Sequence, residues 1–355
     1  MFEHMKYEKI MNRMLNRISP SNDKREGAII FDALAPASIE MQLLYISLDT
    51  ILKETFADTA SRGNLIKRAK ERGIAPYPAT SALLKGVFAP AALEIPIGSR
   101  FNHAELNYIV LEKISDGEYK IQCETSGGVG NKYFGDLIPI EYMAGLATAK
   151  LTELLIPGKD EEDTEVFRQR YFDSLESQAF GGNVADYKNK VNALPGVGGV
   201  KVYPVWNGGG TVKLVIINSE HGVPAAELIT QVQTAIDPTQ NQGKGMGLAP
   251  IGHVVTVAGC AESTVNIETK ITFQAGWAWN STEPYIQKAI DDYFKELAKE
   301  WANNDSLIVR ISQVETRLLD LAGILDIADT KLNGVAQNLQ LTSDNIPKRG
   351  SVTNV

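Results

Sequence analysis

Apolar and polar positions along the chain change rhythm twice. In the first stretch they recur at helical spacing. Leu34, Met41, Tyr45, Leu48, Leu52 and Thr55 follow one another at intervals of 7, 4, 3, 4 and 3. That interval pattern predicts a seam along a helix of about 25 residues. The stripe either packs inside its own domain or joins a bundle with another chain. The polar run from Ser21 to Gly27 precedes it. A second helix over 59–72 ends at Gly73, and Pro76 and Pro78 prevent its continuation.

From residue 81 the period drops to two. Leu106, Tyr108 and Val110 alternate with polar neighbours except at Ile109, Asp116-Gly117 makes a turn, and Tyr119, Ile121 and Cys123 alternate on the way back. Beyond residue 157 the two rhythms mix. Asp163 to Ser177 reads as an amphipathic helix with an acidic start, Gly181-Gly182 stops it, and Asn183 is placed to cap the next helix. An alternating strand runs from Val265 to Phe273. A helix over about 282–302 carries Ile286, Ile290, Tyr293, Leu297 and Trp301 on one face.

One pattern occurs twice in this mixed region. Residues 183–217 read as a helix, a stop at Gly196, a short apolar strand, the pair Asn207-Gly208 and a return strand. Residues 312–341 read as a helix, a stop at Gly323, a short strand, the pair Asn333-Gly334 and a return strand. Asn-Gly suits a two-residue hairpin turn, in which both central residues take positive φ. The expected fold class is therefore multi-domain α+β. It comprises an N-terminal helical region over 1–80, a β-rich domain over 81–156, two small α+β domains over 157–262 and 263–346, and a tail over 347–355. Each small domain carries one helix plus Asn-Gly hairpin unit.

Composition changes this picture little. A chain of 355 residues is long enough for two to four domains. A net charge of −8 argues against a dominant nucleic-acid surface. The basic stretch Arg62, Lys67, Arg68, Lys70 and Arg72 reads as the solvated face of a helix. The first residues contain Lys6, Lys9, Arg13 and Arg17, which break up any signal-peptide or membrane-spanning run, so synthesis and folding in a reducing cytoplasm are expected. Cys123 and Cys260 have no metal-like spacing.

Candidate chemistry is sparse. His4, His103, His221 and His253 stand in no zinc-binding frame. The acidic run Asp160 to Asp163 reads as a linker and helix start. Gly127-Gly128-Val129-Gly130-Asn131 lacks the spacing of a dinucleotide fingerprint and reads as a β-turn. Gly243-Lys244-Gly245 lacks both the first glycine and the Ser/Thr of a phosphate-binding loop. No catalytic, cofactor-binding or metal-binding residue is expected.

Several short motifs, taken in order, resemble the baseplate J-like family. They are Asp58-Thr59-Ala60 with Gly63-Asn64-Leu65, Pro78-Ala79-Thr80, Ile97 to Phe101, and Cys123-Glu124 through Gly130-Asn131. Further on stand Pro157 to Glu165 with Phe167-Arg168-Gln169-Arg170-Tyr171, Gly181-Gly182-Asn183 with Asp186-Tyr187, and Pro195-Gly196-Val197 through Val212. The first 30 residues carry the least of it.

The resemblance implies a wedge subunit of a contractile phage tail or phage-tail-like bacteriocin. Its partners would be other copies of itself, a smaller baseplate wedge protein joined through a helical bundle, and the hub and sheath components, with no nucleic acid and no membrane insertion. It implies a place in the particle's tail baseplate, a ring around the hub, a role in relaying host contact to the sheath, and no cofactor. Gly196, Gly323, Asn207-Gly208 and Asn333-Gly334 would then end helices and turn strands, Phe167, Tyr171 and Trp206 would supply packing, and Leu34, Met41, Tyr45, Leu48 and Leu52 would form the partner interface. Two other classes stay open. One is a receptor- or carbohydrate-binding tail component using Trp277, Trp279 and Tyr285. The other is a tail-associated hydrolase.

Overall fold

The computed structural model describes residues 2–176 and 181–355. The Ser177 end expected for the acidic-start helix lies outside the described residues. The chain forms two compact units, Met1–Pro76 with Glu162–Glu176, and Tyr77–Glu161 with Ser177–Val355.

The first unit is helical, with α1 over Tyr7–Leu15, α2 over Ile29–Thr55, α3 over Arg62–Lys70 and α4 over Thr164–Glu176. Its small core joins Ala57, Ala60, Leu65 and Ala69 to Phe167 and Tyr171. The arginines of the Phe-Arg-Gln-Arg-Tyr motif fasten α4 there. Arg168 donates to the carbonyls of Ala57 and of Ala60 (2.9 Å for the latter). Arg170 donates to the Ala75 carbonyl at 2.7 Å and pairs with the buried Glu162 at 2.6 Å. Loop carbonyls between α2 and α3, and beyond α3, are thus satisfied by side chains.

The second unit begins with a β domain. Its strands are β1 Ser81–Ala89, β2 Arg100–His103, β3 Leu106–Ser115, β4 Glu118–Ser126, β5 Gly135–Asp136, β6 Ile138–Pro139 and β7 Thr148–Ile156. The sheet order is β5-β7-β1-β4-β3-β2-β6. β5 and β6 flank a single residue, Leu137, so one short segment holds both edges of the sheet and closes it into a barrel. Leu137 points into the core with Leu84, Phe88, Phe101, Tyr108 and Ile121. The expected inward set Tyr119, Ile121 and Cys123 is buried.

The remaining elements are α5 Val184–Asn192, β8 Val197–Pro204, β9 Thr211–Asn218, α6 Ala226–Ile236, β10 Val254–Gly259, β11 Ala261–Phe273, α7 Trp279–Lys299, β12 Ile308–Val309, α8 Ile311–Leu319, β13 Ile324–Leu332, β14 Leu339–Gln340 and β15 Asn345–Asn354. They build two three-stranded sheets, β10-β9-β8 and β13-β11-β15. In each, the central strand runs antiparallel to one neighbour and parallel to the other. The two sheets share a geometry but thread it differently. The centre β9 follows its antiparallel neighbour in the chain, whereas the centre β11 precedes its own.

Half of the expected repeat is present. α5 and α8 are both nine residues long. Each is followed at the same distance by a glycine at positive φ, Gly196 (80°) and Gly323 (91°), and a strand starts at the next residue. The hairpin half differs. Asn333 and Gly334 take φ of 49° and 79° and close a two-residue turn through mutual Leu332–Val335 hydrogen bonds of 2.9 and 3.0 Å. The segment after it then leaves β13 and pairs as β14 with β12, so no return strand forms. Between β8 and β9 the positive φ values fall on Val205, Gly208 and Gly210 rather than on Asn207. That loop is longer than two residues, and its three glycines relieve Asn207 of the strained position. Residues 347–355, expected as a tail, form most of β15, the parallel edge of the last sheet.

Candidate functional site

α1 lies along one face of α2. Ser38, fully buried, meets Met11 and Met14 at 3.4 and 3.3 Å. Gln42 accepts from the Tyr7 backbone at 2.6 Å, and Asp49 accepts from the Phe2 backbone at 3.2 Å. The rings of Phe2 and Tyr45 are 5.4 Å apart. The face of α2 covered by α1 and the residues just before it is therefore the partly polar one, with Ser38 and Gln42 against α1 and Tyr45 and Asp49 against Phe2.

The apolar positions of α2 flank that face on both sides. Ile30, Leu34, Ala37, Met41, Leu44, Leu48 and Ile51 follow the alternating 4-3 interval of a coiled-coil seam. Leu44 is 62% exposed and Ile51 60%. Ile39, Leu43 and Ile46 form a second exposed line on the other flank. Of the expected stripe, Met41 and Leu48 lie on the exposed seam. Leu34 is half-buried on the same seam, Leu52 is half-buried off it, and Tyr45 meets Phe2 just ahead of α1. The expected stripe thus mixes two faces. Leu44, Ile51 and the second line escaped it, although their 4-3 spacing was present in the sequence.

By length and composition α2 is also able to cross a membrane, with a mean hydropathy of 1.4 over an 18-residue window of which 6% is buried. No 18-residue apolar run was expected anywhere in the chain, and by this measure α2 departs from that expectation. Asp32, Glu40, Asp49, Lys53 and Glu54 interrupt it, and Pro36 lies within it.

Three of the family-like motifs of the second unit meet in one knot. Asn131 donates to the Gly158 carbonyl at 2.9 Å and accepts from the Gly158 backbone at 2.8 Å. Asp160 accepts from the Gly128 backbone at 2.9 Å, and Thr80 pairs with Lys159 through backbone hydrogen bonds of 2.8 and 3.1 Å. Gly127 to Asn131 is thus a short 3-10 turn clamped to the linker, where a free β-turn was expected. Asn183 caps α5 by accepting from the Asp186 backbone at 2.8 Å, as expected.

Other expected packing residues divide. Phe167 and Tyr171 are buried, whereas Trp206 is 46% exposed. Trp277 lies against Gly323, Trp279 packs against the last core, and Tyr285 is exposed. Cys123 and Cys260 are buried free thiols, and burial pushes Cys260 up to about 12. Among the described residues no group of three or more His, Cys, Asp or Glu side chains is placed to hold a metal ion.

The sequence model of the baseplate J-like central domain matches residues 179–259, and that of the baseplate J-like C-terminal domain matches residues 265–355. The uncharacterized protein YqbT of Bacillus subtilis strain 168 is 39% identical over 99% of this chain and 98% of its own length. The phage-like element PBSX protein XkdT of the same strain is 37% identical over the same shares. The baseplate protein gp47 of Escherichia phage Mu is 26% identical over 46% of this chain and 48% of its own. The chain belongs to the baseplate J-like family.

Proposed function

We propose that this chain is a non-enzymatic wedge subunit of a contractile-tail baseplate, in a phage or a bacteriocin-type particle. Several copies surround the central hub, joined with a smaller wedge protein through a helical bundle, and the ring couples host contact to sheath contraction. The carrying observation is α2. It exposes two apolar seams on either side of the face that α1 covers, and apolar surface of this kind marks an interaction site. Two seams suit two further helices, one from another copy and one from the smaller partner. Full burial of each such side chain is worth roughly 1.5–3 kcal/mol, so a few of them suffice to order a bundle.

In this reading the helical region over 1–80 carries assembly, and the modules over 81–156, 157–262 and 263–346 hold shape. The glycine and Asn-Gly positions serve folding. The seams of α2 are covered by protein, with no membrane insertion, because its charged positions favour a bundle over lipid. The chain is made in the host bacterial cytoplasm and ends in the tail. Mass spectrometry of purified tail particles, followed by imaging, tests this. The chain is expected in a ring around the hub, and its absence from particles contradicts the proposal.

A further inference from the structure

An open cleft of about 490 Å³ lies between the sheet β10-β9-β8 and the turn that leads into β15. Its volume falls within the roughly 300–1,000 Å³ usual for small-molecule sites. Assembly through α2 makes no use of it. Tyr203 on β8, Lys213 on β9 and Trp206 in the loop between them form one wall, and the turn Thr342 to Asn345 forms the other.

That turn is bonded to the facing wall and supported from beneath. Asp344 accepts from the Tyr203 hydroxyl at 2.6 Å and from the Lys213 ammonium at 2.9 Å. Its carbonyl accepts from the Ala261 backbone at 3.1 Å. Beneath, Lys201 is only 7% exposed and donates to the carbonyls of Ser343 (2.5 Å) and Asp305 (3.0 Å), with its ammonium 4.6 Å from the Trp301 ring centre. A first wall supported by a second layer of hydrogen bonds is what a binding site needs to keep its geometry.

The charges decide the ligand class. Lys213 and Asp344 cancel each other, and the Lys201 charge is taken up by two carbonyls and an aromatic face. The cleft therefore has no surplus charge for an ion. It offers the half-exposed Trp206 indole, the exposed residues Thr342 and Ser343, and the unused donors and lone pairs of Lys213 and Asp344. An aromatic face opposite donors and acceptors matches a ring with an apolar C–H face and a hydroxylated rim. We infer that this cleft binds a neutral pyranose, stacked on Trp206 and hydrogen-bonded by Asp344, Lys213 and the turn. Burial would raise Asp344, but Tyr203 and Lys213 outweigh it and hold the carboxyl below its ordinary value, so it stays an acceptor.

The test uses the full chain and ligand-detected NMR, with methyl α-glucopyranoside and methyl N-acetylglucosaminide as probes, and glycerol and inorganic phosphate as comparisons. At least one glycoside is expected to give saturable transfer in the millimolar range, with none from glycerol or phosphate. Trp206→Ala should weaken binding by roughly tenfold or more, and Trp277→Ala should leave it unchanged. Trp206 is half-exposed, so its variant is expected to keep the parent melting curve. Saturation by neither glycoside, binding retained in Trp206→Ala, or saturation by phosphate in place of sugar would each overturn the inference. The isolated chain is the sample throughout, so failure here leaves the baseplate reading untouched.

Discussion

The side-chain carboxamide of Gln233 stands in for a neighbouring strand along β10: its oxygen accepts from the Val257 backbone at 2.8 Å, and its nitrogen donates to the Val255 carbonyl at 3.0 Å. Asp237 completes the edge by accepting from the Val255 backbone at 2.9 Å. Gln233 of α6 and Asp237 just after it thus occupy backbone groups that an unprotected edge strand would offer to other chains. Gln233→Ala leaves the Val257 N–H unmet, while the Val255 carbonyl keeps the Gln242 carboxamide at 3.1 Å, at a cost of about 1–3 kcal/mol. Thermal unfolding should show the loss, and light scattering should show faster aggregation than in the parent chain. A variant that melts and scatters like the parent would contradict this role.

Gly323 tests the shared helix-to-strand device. It sits at φ 91°, and a Cβ there would overlap the Trp277 ring. Gly323→Ala should lose about 2–4 kcal/mol, combining left-handed backbone strain with overpacking. Gly334 has a similar φ of 79° but open space around it. Gly334→Ala should therefore lose only about 1–2 kcal/mol. Adding Trp277→Ala to Gly323→Ala should recover part of the loss, measured by denaturant unfolding of all four chains.

His221 gives the fold a sensitivity to mild acid. Burial, and then the ammonium groups of Lys299 and Lys295, hold its pKa below the ordinary 6.5, against a weaker pull from Glu220. Below pH 6.5 the unfolded chain therefore binds the proton first. Stability falls as pH drops from 6.5 towards the lowered value, and below that value the loss is complete. His221→Asn, which tolerates the native φ of 59°, should flatten this part of the melting-temperature profile. An unchanged slope between neutral pH and pH 5 would contradict the assignment.

Much of this fold was legible because local chemistry and tertiary structure agree. The stops at Gly196 and Gly323, the cap at Asn183 and the buried face of α7 follow from turn chemistry and helical period alone. Barrel closure was not legible, since Gly135 to Pro139 is too short and too Pro/Gly-rich to show a period. β15 was hidden because Gly350 and Ser351 bulge against the single residue Asn266, which breaks its alternation. The α2 stripe was misassigned in part because several apolar lines fit one long apolar helix, and only the position of α1 separates them. The cleft at Asp344 joins residues about 140 apart in the chain, a juxtaposition no local pattern records.

The central claim is that the exposed seam of α2 is covered by other chains in an assembled baseplate. Leu44→Asp with Leu48→Asp places two charges on that seam without touching the face held by α1, so the second unit should keep its cooperative melt. The direct measurement is the amount of this double variant in purified tail particles, relative to the parent chain expressed at the same level. The account predicts a folded chain that is absent from particles. Normal particles carrying the double variant at parental abundance would contradict it.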